Sequence, residues 1–294
     1  MLIFPAAAFI MCYYRKKGSV YLTGFFNSFI FDRYEIIKEI GYGATARVYL
    51  AMDKKLGRKA AIKQGRDKGL LLREAHCLSA YASAGFPTLY DYVEGEKSTC
   101  LIMEYIAGEN LAERFLRIGR YTEEEVLRIA CRTAEIIDGL HTAVPPLVYG
   151  DIKPENIMIQ PDGSVRLVDF GAVNVIFKEA GKQPSGEVRG GTPLYAPPER
   201  WKGKPDIRSD IYALGKLMQV LLEMSGAYLT GQKTECPISP WTERLIERCT
   251  QVQPAYRYQS MSQFLKAAEN SVIALKGDRN SAMVLKDGRK SGGR

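Results

Sequence analysis

The segment LVYGDIKPENIMI, Leu147 to Ile159, decides how this sequence is interpreted. It places an acid, a base and an amide close together, at Asp151, Lys153 and Asn156, and then runs into an apolar stretch that is typical of a β-strand. These three side chains are the first members of a candidate chemical site.

The sequence after this loop predicts a tight β-hairpin. Asp162-Gly163 is typical of a two-residue hairpin turn, and the returning strand ends at Asp169. We therefore expect Asp169 beside Asn156, where carboxylate and amide oxygens are ligands suited to Mg²⁺. Asp151 is left to orient a hydroxyl group and accept its proton, and Lys153 to neutralise charge on a phosphoryl group in transit. Phosphoryl transfer requires these groups.

The first half of the chain is predicted to be a small β-sheet with one helix. The motif GYGATARV places Gly41 and Gly43 between two strands, where backbone N–H groups can approach a phosphate, although such glycines are also typical of an ordinary turn. Lys63 lies on the next strand. Glu74 lies on the inner face of a helix that we expect to stop at Gly85, and it is a candidate partner for Lys63. The alternative is a surface lysine and a surface glutamate.

The second half of the chain is predicted to be helical. Thr122 and Glu125 form a capping box before an apolar stripe at helical spacing, and two further helical patterns follow, SDIYALGKLMQVLLEM and PWTERLIERCTQ. The fold class is therefore α+β and bilobal, with a β-rich N-lobe and a larger α-helical C-lobe. The predicted divisions are a leader over residues 1–33, the N-lobe over 34–106, the C-lobe over 107–272 and a basic flexible tail over 273–294.

The two ends of the chain carry most of its net positive charge. The formal net charge is +8, of which residues 1–33 carry +3 and residues 276–294 carry +4. The central part therefore lacks the basic face that nucleic-acid binding requires. The apolar run MLIFPAAAFIMCYY is shorter than the roughly 20 residues of a membrane-spanning helix. Both an interfacial membrane anchor and a disordered leader are compatible with it.

The cysteines and histidines do not form a metal-binding or disulfide pattern. The six cysteines are scattered without a CxxC pair, and the chain has only two histidines. We therefore expect no structural zinc and a reducing, cytoplasmic compartment, with membrane association through the leader left open.

In this order, the motifs resemble those of eukaryotic-type (Hanks-type) serine/threonine protein kinases of the bacterial kind, from about Tyr34 to Ala268. The glycine-rich loop GYGATARV, AAIK ending at Lys63, LIMEYI, DFG at Asp169 and GGTPLYAPPERW all match family motifs. The resemblance implies ATP and Mg²⁺ as cofactors, protein substrates, and transfer of the γ-phosphoryl group to Ser or Thr hydroxyls.

The resemblance also assigns roles to individual residues. Its implied catalytic residues are Asp151, Lys153, Lys63 and Glu74. Its implied nucleotide-binding residues are Gly41, Gly43, Val48, Ala61, Lys63, Met103, Glu104, Ile106 and Met158. Asn156 and Asp169 are the implied metal ligands. Thr192 is expected near Asp151, Glu199 is expected to form a buried ion pair with Arg257, and Asp210 is expected to brace the catalytic loop.

The catalytic loop departs from the family at two positions. The family has His-Arg-Asp where this chain has Tyr149-Gly150-Asp151. In the family, the arginine binds a phosphate group on the activation loop. Because Gly150 cannot do so, we predict activity without activation-loop phosphorylation. Tyr149 replaces a histidine that packs beneath the Phe of DFG. The short spacing from Lys63 to Glu74 also predicts an early start for the helix.

Two other function classes remain open. The Tyr149-Gly150 pair and Ala46, which stands where the family has a third glycine, suggest a pseudokinase that uses the fold as a binding scaffold, although every residue that the chemistry needs is present. A glycine before the acid also suggests a small-molecule phosphotransferase of the aminoglycoside or choline type. Those enzymes lack Lys153-Pro154 and the docking segment GTPLYAPPE.

Overall fold

A computed structural model describes residues 28–176, 192–202, 206–226 and 238–290. The chain divides into two compact units. The first contains the described residues up to Leu111 together with Glu155–Val173, and the second contains Ala112–Pro154 together with the described residues from Asn174 onward. The first unit is built on a sheet and the second on helices, which confirms the α+β prediction.

The first unit contains a five-stranded antiparallel sheet in the order β1-β2-β3-β5-β4. Its strands and helices are α1 Ser28–Arg33, β1 Tyr34–Tyr42, β2 Ala46–Asp53, β3 Arg58–Gly65, α2 Lys68–Ala80, β4 Leu89–Glu94, β5 Thr99–Glu104, β6 Glu109–Asn110, β8 Ile157–Ile159 and β9 Val165–Leu167. Val48 lies opposite Lys63, and Ala61 lies opposite Met103. Because side chains alternate between the faces of a sheet, these four residues share one face.

Helix α2 begins early, as the short spacing predicts. The side chain of its N-cap residue Asp67 accepts a hydrogen bond from the Leu70 N–H, and Glu74 lies on its buried face. The helix ends at Ala80, before the predicted stop at Gly85, because Tyr81 leaves the helical conformation while its N–H still bonds to the Cys77 carbonyl.

The leader predicted over residues 1–33 is too long. Ile30, in α1, is fully buried in an apolar cluster on the sheet face opposite the one that carries Lys63, and Arg33 pairs with Asp53 at 2.8 Å. The other members of the cluster are Tyr34, Ala51, Ala60, Ile62, Cys100 and Ile102. Helix α1 therefore belongs to the folded unit, because it covers apolar surface that the strands alone leave exposed. The leader's other residues, 1–27, lie outside the described residues.

The hairpin of β8 and β9 groups with the first unit, although the predicted C-lobe included it. Its turn lies at Asp162-Gly163, as predicted, with Gly163 at a φ of 83°. Strand β8 pairs with β6, and the Leu167 N–H donates to the Gly85 carbonyl at 2.9 Å. These hydrogen bonds hold the hairpin to the first unit more directly than its position in the sequence indicates.

The second unit is built from helices and one short ladder. These elements are α3 Leu111–Ile118, which begins at the unit boundary, α4 Glu123–His141, α5 Ile207–Met224, α6 Pro240–Cys249, α7 Met261–Lys290, and β7 Leu147–Val148 paired with β10 Asn174–Val175. The capping box at Thr122 is present, and the predicted apolar stripe of α4 is buried. Helices α5 and α6 approach closely at Gly215, where an added Cβ would clash with the Cys249 Cβ.

Helix α7 continues into the segment predicted as a flexible tail from residue 273. It runs to Lys290, and Ser271 and Leu275 on its buried side still contact the unit. The segment contains no proline to end the helix, and its apolar residues favour helix. Among the helices of the described residues, none is long and apolar enough to cross a membrane.

Candidate active site

The predicted partner residues of the first unit lie together around one ammonium group. Lys63 Nζ donates to Glu74 at 2.8 Å and 2.7 Å, one contact to each carboxylate oxygen, and to Asp169 Oδ1 at 2.7 Å. The Lys63 and Glu74 side chains are 8% and 1% exposed, whereas the Asp169 side chain is 43% exposed. Lys63 is thus fixed from its buried side, while Asp169 remains accessible to a ligand.

The Lys63 ammonium stays charged in this position. Burial by itself lowers the pKa of Lys63, but Glu74 and Asp169 more than offset it, so that its pKa lies above the ordinary value. A cation held by two carboxylates in a site that is open on the Asp169 side is suited to binding phosphate oxygens.

The β8–β9 hairpin brings Asp169 back beside Asn156, as predicted. The Val168 N–H donates to the Asn156 carbonyl at 2.9 Å, and Asp169 has a φ of 76°, a left-handed conformation that is uncommon outside glycine. The Gly171 N–H donates to Asp169 Oδ1 at 3.0 Å. A Cβ at Gly171 would lie 3.2 Å from that oxygen and 3.8 Å from Lys63 Nζ, so only glycine leaves this side of the cluster open.

Phe170 links the same segment to helix α2. Its N–H donates to Glu74 Oε1 at 3.1 Å, and its buried ring packs edge-on against Phe86 with the ring centroids 4.7 Å apart. The position of α2 and the conformation of residues 169–171 are therefore coupled through Glu74.

The residues implied in nucleotide binding all lie in the first unit. Val48, Ala61 and Met103 share the sheet face that carries Lys63, and Gly41 lies opposite Val48 where the sheet begins its turn. The Gly43 N–H donates to the Ala46 carbonyl at 2.9 Å, which closes the glycine turn.

The remaining nucleotide-binding candidates lie after β5 and on β8. Ile106 is buried, and Met158 pairs with Asn110 across β6 and β8. The Glu104 N–H donates to the Thr88 carbonyl at 2.8 Å, so Glu104 can offer a ligand only its carbonyl oxygen from the main chain. Sequence reasoning missed Arg166, which donates to the Glu104 carboxylate at 2.9 Å.

In the second unit, Asp151 is held by two neighbours. Its Oδ2 lies 2.6 Å from Lys153 Nζ, and its Oδ1 accepts from the Thr192 N–H at 3.1 Å and from the Thr192 hydroxyl at 3.3 Å. The predicted proximity of Thr192 to Asp151 is therefore present.

Asp210 braces the loop that carries Asp151. It is fully buried, and its two oxygens accept from the Tyr149 N–H and the Gly150 N–H, each at 2.8 Å. His141 Nε2 lies 2.9 Å from the same carboxylate. Gly150 has a φ of 81°, which favours glycine immediately before the acid.

A sequence model of the protein kinase domain matches residues 34–269, which span both units and every site residue described above. The chain belongs to the protein kinase family. This membership agrees with the geometry of both units and confirms the resemblance.

Bacterial serine/threonine kinases are similar to this chain along most of its length. Serine/threonine-protein kinase PknA of Nostoc sp. is 27% identical over 273 residues, which cover 83% of this chain and 48% of that protein. The probable serine/threonine-protein kinase PknB of Corynebacterium glutamicum is 32% identical over 206 residues, which cover 66% of this chain and 32% of that protein. The kinase chain thus spans about half or less of the length of these curated relatives.

The docking segment of the kinase is fixed by a buried ion pair, as predicted. Arg257 Nη2 donates to Glu199 Oε2 at 2.8 Å, and the Ser209 hydroxyl donates to Glu199 Oε1 at 2.9 Å. Although burial raises the pKa of Glu199, the hydrogen bonds from Arg257 and its neighbours outweigh burial and hold that pKa below its ordinary value.

Sequence reasoning missed two contacts at the catalytic loop of the kinase. The next residue of the docking segment, Arg200, is buried and donates to the Gly150 carbonyl. His141 faces Asp210 from the end of α4. No motif or spacing marks Arg200, whereas His141 had a weak signal as the last residue on the buried side of an amphipathic helix. Ser185, one of the three hydroxyl-bearing residues of the activation loop over residues 169–199, lies outside the described residues.

Proposed function

We propose that this chain is a serine/threonine protein kinase that transfers the γ-phosphoryl group of ATP, with Mg²⁺, to hydroxyl groups of protein substrates. The observation that carries the proposal is the Lys63–Glu74–Asp169 cluster, in which a buried, charged lysine is fixed beside a carboxylate that remains 43% exposed. Family membership and the named bacterial relatives support the same reaction.

The donor groups of the first unit fit a magnesium-bound nucleotide. Asp169 and Asn156 would hold the metal, and two protein ligands are sufficient because Mg²⁺ takes its other ligands from phosphates and water. When bound, the metal supplies neutralisation of charge on the phosphate oxygens. Lys63 contributes a second positive charge for those oxygens.

The second unit supplies the groups that act on the acceptor. Asp151 orients the substrate hydroxyl and accepts its proton, and Lys153, 2.6 Å from Asp151, neutralises charge on the phosphoryl group. Thr192, bonded to Asp151, keeps the carboxylate in one orientation until substrate arrives.

We also propose that activity does not depend on phosphorylation of the activation loop. Gly150 has no side chain that could bind a phosphate group. Of the activation loop's hydroxyl-bearing residues other than Ser185, Thr192 bonds to Asp151 at the catalytic loop and Tyr195 is buried. Alanine at Ser185 should leave turnover nearly unchanged. A tenfold loss in that variant contradicts this part of the proposal.

One labelling experiment tests the reaction class. The purified chain is incubated with γ-labelled ATP, Mg²⁺ and a basic carrier protein, in parallel with Asp151→Asn and the surface control Arg244→Gln. Label on Ser or Thr that only Asp151→Asn abolishes supports the proposal. Label confined to a small metabolite identifies a small-molecule phosphotransferase. Absence of transfer with retained nucleotide binding identifies a pseudokinase, the alternative that Gly150 and Ala46 suggest.

The cellular location of the chain stays a prediction. A cytoplasmic location, with membrane association through the leader, concerns residues 1–27, which lie outside the described residues. Fractionating cells that express either the full chain or a chain without residues 1–27 tests it. A protein found in the same fraction in both cases contradicts a role for the leader.

A further inference from the structure

Arg200 occupies an unusual position for a residue of the docking segment. It lies in the short 3-10 helix Pro198–Lys202 and is only 4% exposed. Its guanidinium group donates to the carbonyl of Gly150, the residue immediately before the proposed proton acceptor. A buried guanidinium group is costly unless it is hydrogen-bonded and compensated by charge, so this placement requires an explanation.

The charges around Arg200 offset part of that cost. Burial lowers the pKa of Arg200, while the negative charges of Asp210 and Asp151 oppose the change. An arginine keeps its proton under these conditions. Arg200 is therefore a permanent cation beside two carboxylates of the catalytic loop region, both of which are at least nine-tenths buried.

Gly150 needs external support to hold one conformation. It has no side chain, and its φ of 81° is one that glycine leaves easily. Two hydrogen bonds hold the residue: its N–H donates to Asp210 at 2.8 Å, and its carbonyl accepts from Arg200. Because the next residue is Asp151, the orientation of this peptide determines where the Asp151 carboxylate points.

The docking segment thus contacts the catalytic loop at two places. Thr192, at its start, binds the Asp151 carboxylate, and Arg200, near its end, binds the Gly150 carbonyl. The Glu199–Arg257 pair fixes the residue that precedes Arg200. Arg200 therefore reaches the catalytic loop from a segment that is itself anchored by a buried ion pair.

We propose that Arg200 is a positioning residue that sets the catalytic loop through the Gly150 carbonyl and supplies from within the protein the positive charge that the loop lacks at position 150. This proposal rests on the proposed kinase function and extends it to regulation: because Arg200 has its counter-charges, Asp210 and Asp151, inside the protein, it needs no activation-loop phosphate as an anionic partner. It also predicts that order in the docking segment and catalytic competence are linked.

The test compares three substitutions at one position with a surface control. Arg200→Met removes the charge with similar length, Arg200→Lys keeps the charge but loses the planar fork, and Arg200→Ala leaves space for added guanidinium ion. Arg244→Met, on the exposed side of α6, is the matched control. For each variant we measure kcat, the KM for ATP, the Kd of a fluorescent nucleotide and Tm.

We expect Arg200→Met to lower kcat by about 10- to 100-fold, because small misplacements of a catalytic group have effects of this size. The KM for ATP and the nucleotide Kd should change less than about twofold, since the proposed nucleotide ligands lie in the first unit and are untouched. Arg200→Lys should retain part of the kcat that Arg200→Met loses. Millimolar guanidinium should restore part of the lost kcat to Arg200→Ala and should leave the kcat of Arg244→Met unchanged.

Three results overturn the proposal. Unchanged kcat in folded Arg200→Met shows that the cation is dispensable. A loss of kcat that neither lysine nor guanidinium relieves, together with a lowered Tm, assigns Arg200 to stability alone. Nucleotide affinity that falls in parallel with kcat shows that the effect is not confined to the catalytic loop. The wild-type measurement separates these outcomes from failure of the kinase proposal, because a wild type without transfer activity removes the proposed function itself.

Discussion

The two units of this kinase hold their functional carboxylates by different means. In the first unit, Glu74 and Asp169 meet at the ammonium group of Lys63, and the cluster depends on three side chains from distant parts of the chain. In the second unit, Asp210 meets the main-chain N–H groups of two consecutive residues, Tyr149 and Gly150.

This difference has consequences for what each site can do. An ion cluster of side chains changes when one of them moves or when a charged ligand competes for it, as with Asp169, whose side chain is 43% exposed. Asp210 is fully buried and accepts from main-chain N–H groups, so it cannot change its partners without disrupting the loop that carries those groups. We therefore expect neutral substitutions in the first unit to weaken ligand binding as well as turnover, and those in the second unit to lower turnover or stability while nucleotide binding is retained.

The largest expected effect separates the two units by function. Asp151→Asn should lower kcat by about 100- to 10,000-fold, the range typical of loss of a general base, with nucleotide affinity retained. Asp169→Asn should also abolish turnover, but it should weaken nucleotide binding in the presence of Mg²⁺ and not in its absence. Nucleotide titrations with and without the metal measure this difference. Equal loss of nucleotide affinity in both variants contradicts the division of roles.

The next effect concerns stability in the second unit. Asp210→Ala removes the acceptor of the Tyr149 and Gly150 N–H groups and one of the two carboxylate charges beside Arg200, so it should reduce the free energy of unfolding by about 3–5 kcal/mol. Denaturant unfolding measures this value. The control Glu135→Gln removes an exposed pair with Arg132 and should change stability by less than about 0.5 kcal/mol.

Glu74→Gln tests the same comparison from the first unit. Lys63 retains Asp169 in this variant, so the loss of stability should be smaller than in Asp210→Ala. Turnover should fall clearly, because α2 is no longer tied to Lys63 by charge. If Glu74→Gln loses as much stability as Asp210→Ala, the cluster around Lys63 contributes as much to the stability of the fold as the hydrogen bonds of Asp210 do.

The sequence predicts those parts of the site that local patterns specify. Glu74 was recognisable because it shares a helix face with apolar residues, and the return of Asp169 to Asn156 followed from the turn at Asp162-Gly163. Arg200 was not recognisable. An arginine next to a glutamate is usually a solvated residue, and its burial depends on a carbonyl 50 positions away in the chain.

The range predicted for the leader is too long for a similar reason. Ile30 stands in a short apolar run before Arg33, and nothing local distinguishes a leader from a helix that covers the back of a sheet. Only the apolar face formed by strands far along the sequence, with Ile62 and Ile102, shows that Ile30 is needed there. Long-range burial of this kind is not encoded in periodicity.

The fourth effect tests this correction in the first unit. Ile30→Ala should reduce the free energy of unfolding by about 2–4 kcal/mol, because it removes a fully buried side chain from the cluster behind the sheet. The matched control Ile37→Ala, on β1 and 48% exposed, should cost much less. Denaturant midpoints of the two variants provide the measurement. Equal stability of the two variants contradicts a folded role for α1.

The smallest expected effect is the acid sensitivity of the Glu199–Arg257 pair in the second unit. The pKa of Glu199 lies below its ordinary value because hydrogen bonds from Arg257 and its neighbours outweigh burial. A lowered folded-state pKa gives stability that is complete above the ordinary carboxyl pKa of about 4.3 and is lost as the pH falls through the lower folded-state value. Wild-type protein should therefore lose stability below about pH 4, and Glu199→Gln should lose less stability over the same interval. Denaturant unfolding of both proteins at pH 7 and pH 3 measures the difference.

Identical losses of stability in the two proteins mean that carboxylates elsewhere, including Asp53 in the first unit, account for the acid sensitivity. The Glu199–Arg257 pair then stabilises the docking segment through hydrogen bonds rather than charge.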